Sequence, residues 1–230
     1  MDLSRIEFIK QSSLEDLKDI NYLENLIIKL GFNTELAREQ PQIVKNNGGG
    51  LLIWQYPNQF SKYLYLLQRQ KIQSYIEIGC RWGGTFVLTT EYLKMFNDVT
   101  KSVAVDIIDS PVLNYCITNN ETKFIKINST TPQFKNYMNT NYFDLIFIDG
   151  DHSYNGVKSD YEISKNSGKI FVFHDIASDV CPGVVQFWNE LKNGKEKEKY
   201  NFFEFIDQYP DVWNNTRQRF LGIGVAIKKE

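Results

Sequence analysis

The spacing of hydrophobic positions changes along the chain. In residues 12–32, SSLEDLKDINYLENLIIKLGF, the side chains Leu14, Leu17, Ile20, Leu23, Ile27 and Leu30 recur every three or four positions, which predicts an amphipathic helix stopped by Gly31. NNGGG at 46–50 predicts a turn, and a second helical face follows at Phe60, Tyr63, Leu64 and Leu67. From Lys71 onward, short apolar runs alternate with helical stretches. Strands are expected at 74–78, 102–107, 123–127, 144–149 and 169–174, with helices near 85–96, 111–119, 132–139, 154–165 and 183–192. LIFID and IFVFHD are apolar without alternation up to their polar ends, as expected of strands covered on both faces. A series of this kind implies an α/β fold with a doubly wound parallel sheet. NFFEFID and RFLGIGVAIKK, with no helical pattern between them, predict a terminal antiparallel hairpin, and KNGKEKEKY before them reads as a solvated loop.

This divides the chain into an N-terminal helical cap, residues 1–70, and a sheet domain, residues 71–230. Composition changes the picture mainly by exclusion. A net charge of −2 without a long basic run disfavours nucleic acid as a partner. No apolar run is long enough for a bilayer, and MDLSRIEFIK has no signal-like apolar core, so no membrane partner is expected. Cys80, Cys116 and Cys181 are too scattered for a disulfide framework, which points to a reducing, cytoplasmic setting.

In an open parallel sheet, ligands gather beyond the carboxyl ends of the strands. The first strand ends in EIGCRWGG. Gly79 can make the tight turn and Gly83 with Gly84 can admit close helix packing, but Arg81 stands where a dinucleotide motif carries its second glycine. A nucleoside ligand without a pyrophosphate suits this turn better than a nicotinamide dinucleotide. No GK[ST] follows, which excludes a P-loop. Asp106, closing the second strand, is placed to accept hydrogen bonds from ribose hydroxyls; helix capping is the competing role. FDLIFIDGDHSYNGVKSDYE delivers Asp149, Asp151 and His152 to the end of one strand, and KIFVFHDI delivers His174 and Asp175 to the next. Neighbouring strands lie about 5 Å apart, so Asp149 and Asp175 can converge on one cation. Two carboxylates favour magnesium or calcium over zinc. His152 is suited to acid–base work near neutral pH. His174 ligates, supports a ligand or packs.

EIGCRWGGT, VDI, FDLIFIDGDHSYNGVKSDYE and FHDI with CPGVVQFWNEL resemble, in this order, the class I S-adenosylmethionine-dependent O-methyltransferases. The similarity is greatest to the metal-dependent branch of macrolide-sugar, rhamnosyl and cephalosporin-cluster methyltransferases, and it covers roughly residues 74–229. It implies a Rossmann-like doubly wound seven-stranded sheet with an antiparallel last strand. It also implies S-adenosyl-L-methionine as cofactor, with Glu77 near the methionine ammonium and the turn at 79–84 (Gly79, Arg81, Gly83, Gly84) around it. Asp106 would hold the ribose, and Ser129 and Asp151 would line the adenine or methionyl pocket. Asp149 with the His174–Asp175 pair matches the cation site, although that pair is usually acidic. His152 matches the general base. The activity implied is methyl transfer to a hydroxyl of a sugar or glycan with vicinal hydroxyls, assisted by Mg2+, in a chain for which a homodimer is one expected assembly. The alternatives are an NAD-linked oxidoreductase and a non-catalytic nucleoside-binding scaffold. Trp54, Gln55, Tyr56 and Trp82 are expected to form an aromatic platform for the acceptor or to pack the cap on the sheet.

Overall fold

The computed structural model describes residues 1–35 and 39–229. Among them, seven strands form one sheet: β1 (Ser74–Ile78), β2 (Lys101–Asp106), β3 (Thr122–Lys126), β4 (Phe143–Ile148), β5 (Gly168–His174), β6 (Tyr200–Phe205) and β7 (Ile223–Lys228). The spatial order is β3-β2-β1-β4-β5-β7-β6. The pairings among β1 to β5 are parallel, whereas β7 runs antiparallel to both neighbours. The chain order therefore reverses between β1 and β4, and a crevice opens there beyond the carboxyl ends.

Both faces of the sheet are covered, which explains the uninterrupted apolar strands. Tyr75, Leu145, Phe147, Ile170, Val172 and Val225 point to one side. They meet α4 (Pro57–Leu67) through Phe60, Tyr63 and Leu64, and α5 (Gly84–Phe96) through Phe86 and Val87. Ile76, Ile78, Ile146, Ile148, Phe171 and Phe173 point to the other side. There they meet α7 (Pro132–Thr140), α8 (Tyr154–Ser164) and α9 (Pro182–Asn193) through Phe134, Tyr161, Phe187 and Trp188. Two short N-terminal helices, α1 (Ile6–Lys10) and α2 (Ile20–Leu30), join the first of these cores through Ile9, Leu23, Ile27 and Leu30. α3 (Gln42–Lys45) and α6 (Val112–Thr118) are the other α-helices described before β3.

Three local expectations change. The helix expected across residues 14–30 breaks at Asp19, whose extended backbone and side chain cap α2, the side chain accepting from Tyr22 N at 2.7 Å. Residues 16–18 form a separate 3-10 turn. Asp thus wins as a cap over its place in a periodic helix. Between β6 and β7 stands a helix, α10 (Pro210–Thr216), with proline at its start; its seven residues are too few for periodicity to register. The charged segment after α9 is not all loop, since α9 runs to Asn193, Lys197–Lys199 form a 3-10 turn and Tyr200 opens β6. The three cysteines are free and buried. No described helix is long and apolar enough to cross a membrane.

Candidate active site

The turn after β1 is built by contact with the neighbouring strand ends. Gly79 has φ +87°, and a Cβ there would collide with the carbonyl of Asp149. The turn thus lies directly on the residue that follows β4. Gly83, at φ +80°, leaves no room for a Cβ against Val112, and Gly84 packs on the backbone of Leu51 and Leu52. Arg81 itself adopts φ +42°. Its backbone N–H donates to Asp106 Oδ2 at 2.6 Å, and Ile108 N donates to Asp106 Oδ1 at 3.1 Å. Asp106 therefore ties the first turn to the second strand end and caps no helix. The Arg81 guanidinium ion-pairs with Glu35 at 3.2 Å and lies 5.7 and 5.8 Å from the rings of Trp54 and Trp82. Glu77 is buried in β1, where Tyr75 donates its hydroxyl to the carboxylate. Burial pushes the Glu77 carboxyl well up, with Tyr75 opposing the shift.

At the other side of the crevice, four ionisable side chains crowd the ends of β4 and β5. Asp149 is the first residue past β4, and His174 is the last of β5. Asp175 follows at φ +61°, a left-handed conformation that costs a non-glycine residue about 1 kcal/mol or more and that recurs at functional sites. His152 Nε2 lies 3.1 Å from Asp149 Oδ1, and its Nδ1 lies 3.5 Å from Asp175 Oδ2. His174 Nδ1 sits between both carboxylates, 3.1 Å from Asp149 Oδ1 and 3.2 Å from Asp175 Oδ2, yet neither of its ring nitrogens finds an aligned hydrogen-bond partner. Burial favours the neutral forms, but the opposite charges prevail. Asp149 is held down to about 2, chiefly by His174. His152 is pushed up to about 11, first by its hydrogen bond to Asp149 and then by Cys181. His174 is raised and Asp175 lowered by the same mutual attraction, against the cost of burial.

These two regions open into one cavity of about 660 Å3, a size suited to a nucleoside cofactor and part of an acceptor. Every residue expected from the sequence to bind cofactor or metal or to act in catalysis lines it: Glu77, Gly79, Arg81, Gly83, Gly84, Asp106, Ser129, Asp149, Asp151, His152, His174 and Asp175. Asp151 is turned partly to local structure, accepting from Ser153 N at 2.9 Å and Ser153 Oγ at 3.0 Å. Of the aromatic segment, Trp54 and Trp82 line the cavity. Gln55 and Tyr56 pack away from it, Tyr56 edge-on against Tyr209 at 5.4 Å.

Of the lining residues not anticipated from the sequence, three bear on the site's chemistry or shape. The Cys181 thiol donates to Asp175 Oδ2 at 3.3 Å and lies 3.4 Å from His152 Nδ1. Asp160, in α8, is buried, and burial raises it to about 6, with the Ser129 hydroxyl opposing the shift. Its signal was one helical turn of spacing, since Gly156 and Asp160 face the same loop from α8. Leu221, at φ +61°, closes the wall beside Trp54. As for a cation, one donor atom each from Asp149, His174 and Asp175 lie within 4.8 Å of one another. That cluster, with its unaligned buried imidazole, fits a divalent ion.

The sheet order and an acidic strand-end cleft beside a glycine turn define a doubly wound α/β protein with its site at the point where the strand order reverses. The profile of the rhamnosyl O-methyltransferase/CmcI family matches residues 47–208, and the chain belongs to that family of S-adenosylmethionine-dependent O-methyltransferases. No curated protein sequence matches the chain. Among solved structures, it is similar to the O-methyltransferase from Bacillus cereus in complex with S-adenosylhomocysteine, at 11% identity over 95% of this chain and 93% of that one, with a TM-score of 0.54. The O-methyltransferase TomG from Streptomyces achromogenes, involved in tomaymycin synthesis and solved with S-adenosylmethionine, shares 10% identity over 100% and 97% of the two chains, with a TM-score of 0.54. MycE methyltransferase from the mycinamycin biosynthetic pathway, in complex with Mg and S-adenosylhomocysteine, shares 14% identity over 79% of this chain and 50% of that one, with a TM-score of 0.50. At these identities the likeness is one of fold.

Proposed function

We propose that the protein transfers the methyl group of S-adenosylmethionine to one hydroxyl of a vicinal diol on a sugar or glycan, a deoxysugar such as rhamnose being the first choice. The observation that carries this reading is the single cavity joining the Asp106–glycine-turn edge to the Asp149–His152–Asp175 edge. Asp106, with one lone pair of each oxygen already fixed by backbone N–H groups, is oriented to accept from the ribose hydroxyls. Glu77 reaches the cavity from β1, where the cofactor's ammonium would offset the burial that favours the neutral carboxyl and draw out the carboxylate. Gly79, Arg81, Gly83 and Gly84 shape the turn, while Ser129 and Asp151 line the nucleoside side.

A divalent cation, magnesium on the sequence's expectation, would be held by Asp149 and Asp175 and supply Lewis acidity toward the acceptor hydroxyl. His152 takes the hydroxyl proton at Nε2. For that it must be neutral, and compensation of Asp149 and Asp175 removes the attraction that keeps it protonated. The MycE complex, which contains Mg, lends support to a cation in this fold. Trp54 and Trp82 line the same cavity and offer flat apolar faces of the kind that hold a sugar ring. We assign residues 1–70 the shaping of the acceptor side, and the buried free thiols suit a reducing cytoplasm. The nicotinamide and scaffold alternatives are set aside, since the family's reaction uses neither.

The test is incubation of the purified chain with methyl-labelled S-adenosylmethionine and a panel of rhamnosides, each beside its deoxy counterpart lacking one member of the diol. Label in the diol sugars and not in the deoxy counterparts is the expected result. Label in neither, with cofactor binding intact, would overturn the sugar assignment.

A further inference from the structure

The donor atoms at the end of β5 are unusual for a magnesium site. Magnesium prefers oxygen ligands and retains several waters, whereas imidazole suits the first-row transition ions and zinc. His174 is placed where it cannot leave the cluster. It ends β5, is paired with Ile223 of β7, and its ring lies 6.3 Å from that of Phe147 in the core. It is 4% exposed.

We propose that the Asp149–His174–Asp175 cluster selects a transition ion of the manganese(II), cobalt(II) or zinc(II) kind over magnesium, with a ring nitrogen of His174 as a ligand. The proposal rests on the reading that this cluster holds a divalent cation and specifies which one. The separations of 3.1 and 3.2 Å from Nδ1 to the two carboxylates are misaligned for hydrogen bonding. They do match the donor–donor edges, about 3.0–3.5 Å, of an ion with ligand bonds of about 2.0–2.2 Å. A sulfur donor lies close by as well. Cys181 with His152 and Asp175 forms a second ligand-competent triad that shares Asp175 with the first. Two imidazoles and a thiol within reach of two carboxylates make a mixed N, O, S environment, which magnesium does not seek.

The chain has two histidines, so in His152→Ala any imidazole bound to an ion is His174. Manganese(II) is therefore titrated into the untagged protein in the presence of S-adenosylhomocysteine, and pulsed electron paramagnetic resonance reads nitrogen coupling to the bound ion. The wild type and His152→Ala are expected to show imidazole coupling. In His174→Glu, one coupled imidazole is lost and the manganese-to-magnesium affinity ratio falls at least about tenfold. S-adenosylhomocysteine affinity reports whether each variant is folded. Manganese bound by His152→Ala without nitrogen coupling would overturn the inference while leaving the cation reading intact. No manganese binding by the wild type, with S-adenosylhomocysteine still bound, would overturn both.

Discussion

The two sides of the crevice satisfy their polar groups differently. At the β1 and β2 ends, Asp106 receives two backbone N–H groups and Glu77 receives the Tyr75 hydroxyl, so these carboxylates are held in place by the protein itself. At the β4 and β5 ends, Asp149, His152, His174, Asp175 and Cys181 lean on one another, and His174 finds no aligned partner at all. The first side is preorganised by the protein's own donors. The second is a set of mutually neutralising charges whose protonation states depend on what enters. The proposed function puts binding and chemistry at different strand ends, which adjoin where Gly79 packs on the Asp149 carbonyl.

That division can be broken in several ways. The largest expected effect is on turnover: His152→Ala lowers kcat by about 10²–10⁴-fold, the usual worth of a positioned base, while S-adenosylhomocysteine affinity stays within about threefold. Single-turnover kinetics beside calorimetry checks this; equal losses in both would mean that the two sides are not separate. Next comes Gly79→Ala, which forces a Cβ onto the Asp149 carbonyl at a positive φ. Overpacking there is expected to cost about 3 kcal/mol, or roughly 6–12 °C in melting temperature by calorimetry. Trp54→Ala is expected to raise the acceptor KM about tenfold through lost ring contact, with cofactor affinity unchanged.

The smallest effect is the pH dependence of stability. Asp149 is held down to about 2, so its contribution is present above the ordinary carboxylate range and is lost as pH falls toward 2. His152 is pushed up to about 11, so its contribution is full below about 6.5 and is lost as pH rises toward 11. Thermal melts from pH 2 to 11 are expected to decline on both limbs, and Asp149→Asn flattens both by a few degrees.

The sequence carried the first side more fully than the second. The turn at Gly79 and the carboxylate of Asp106 are local features, fixed by where a strand stops, and strand ends were visible because apolar runs such as LIFI in β4 and IFVF in β5 stop abruptly at polar residues. Asp149, His152 and Asp175 were legible for the same reason. What joins them was not. Cys181 sits at the start of α9, and only the packing of α9 beside β5 brings its thiol to Asp175. Asp160 looks like any polar residue of a helix until α8 docks under the crevice. Likewise α10 and the break before α2 depend on a proline and an aspartate cap, single-residue signals that periodicity over a long window averages away.

The most direct test titrates S-adenosylhomocysteine into Asp106→Ala and Asp149→Asn side by side. Loss of charged hydrogen bonds to the ribose is expected to weaken Asp106→Ala by about 10–100-fold. Asp149→Asn is expected to stay within about threefold of the wild type, since the proposed function puts its charge on the acceptor side. Wild-type affinity in Asp106→Ala, or an equal loss in both variants, would contradict the division of the crevice into a cofactor edge and a reacting edge.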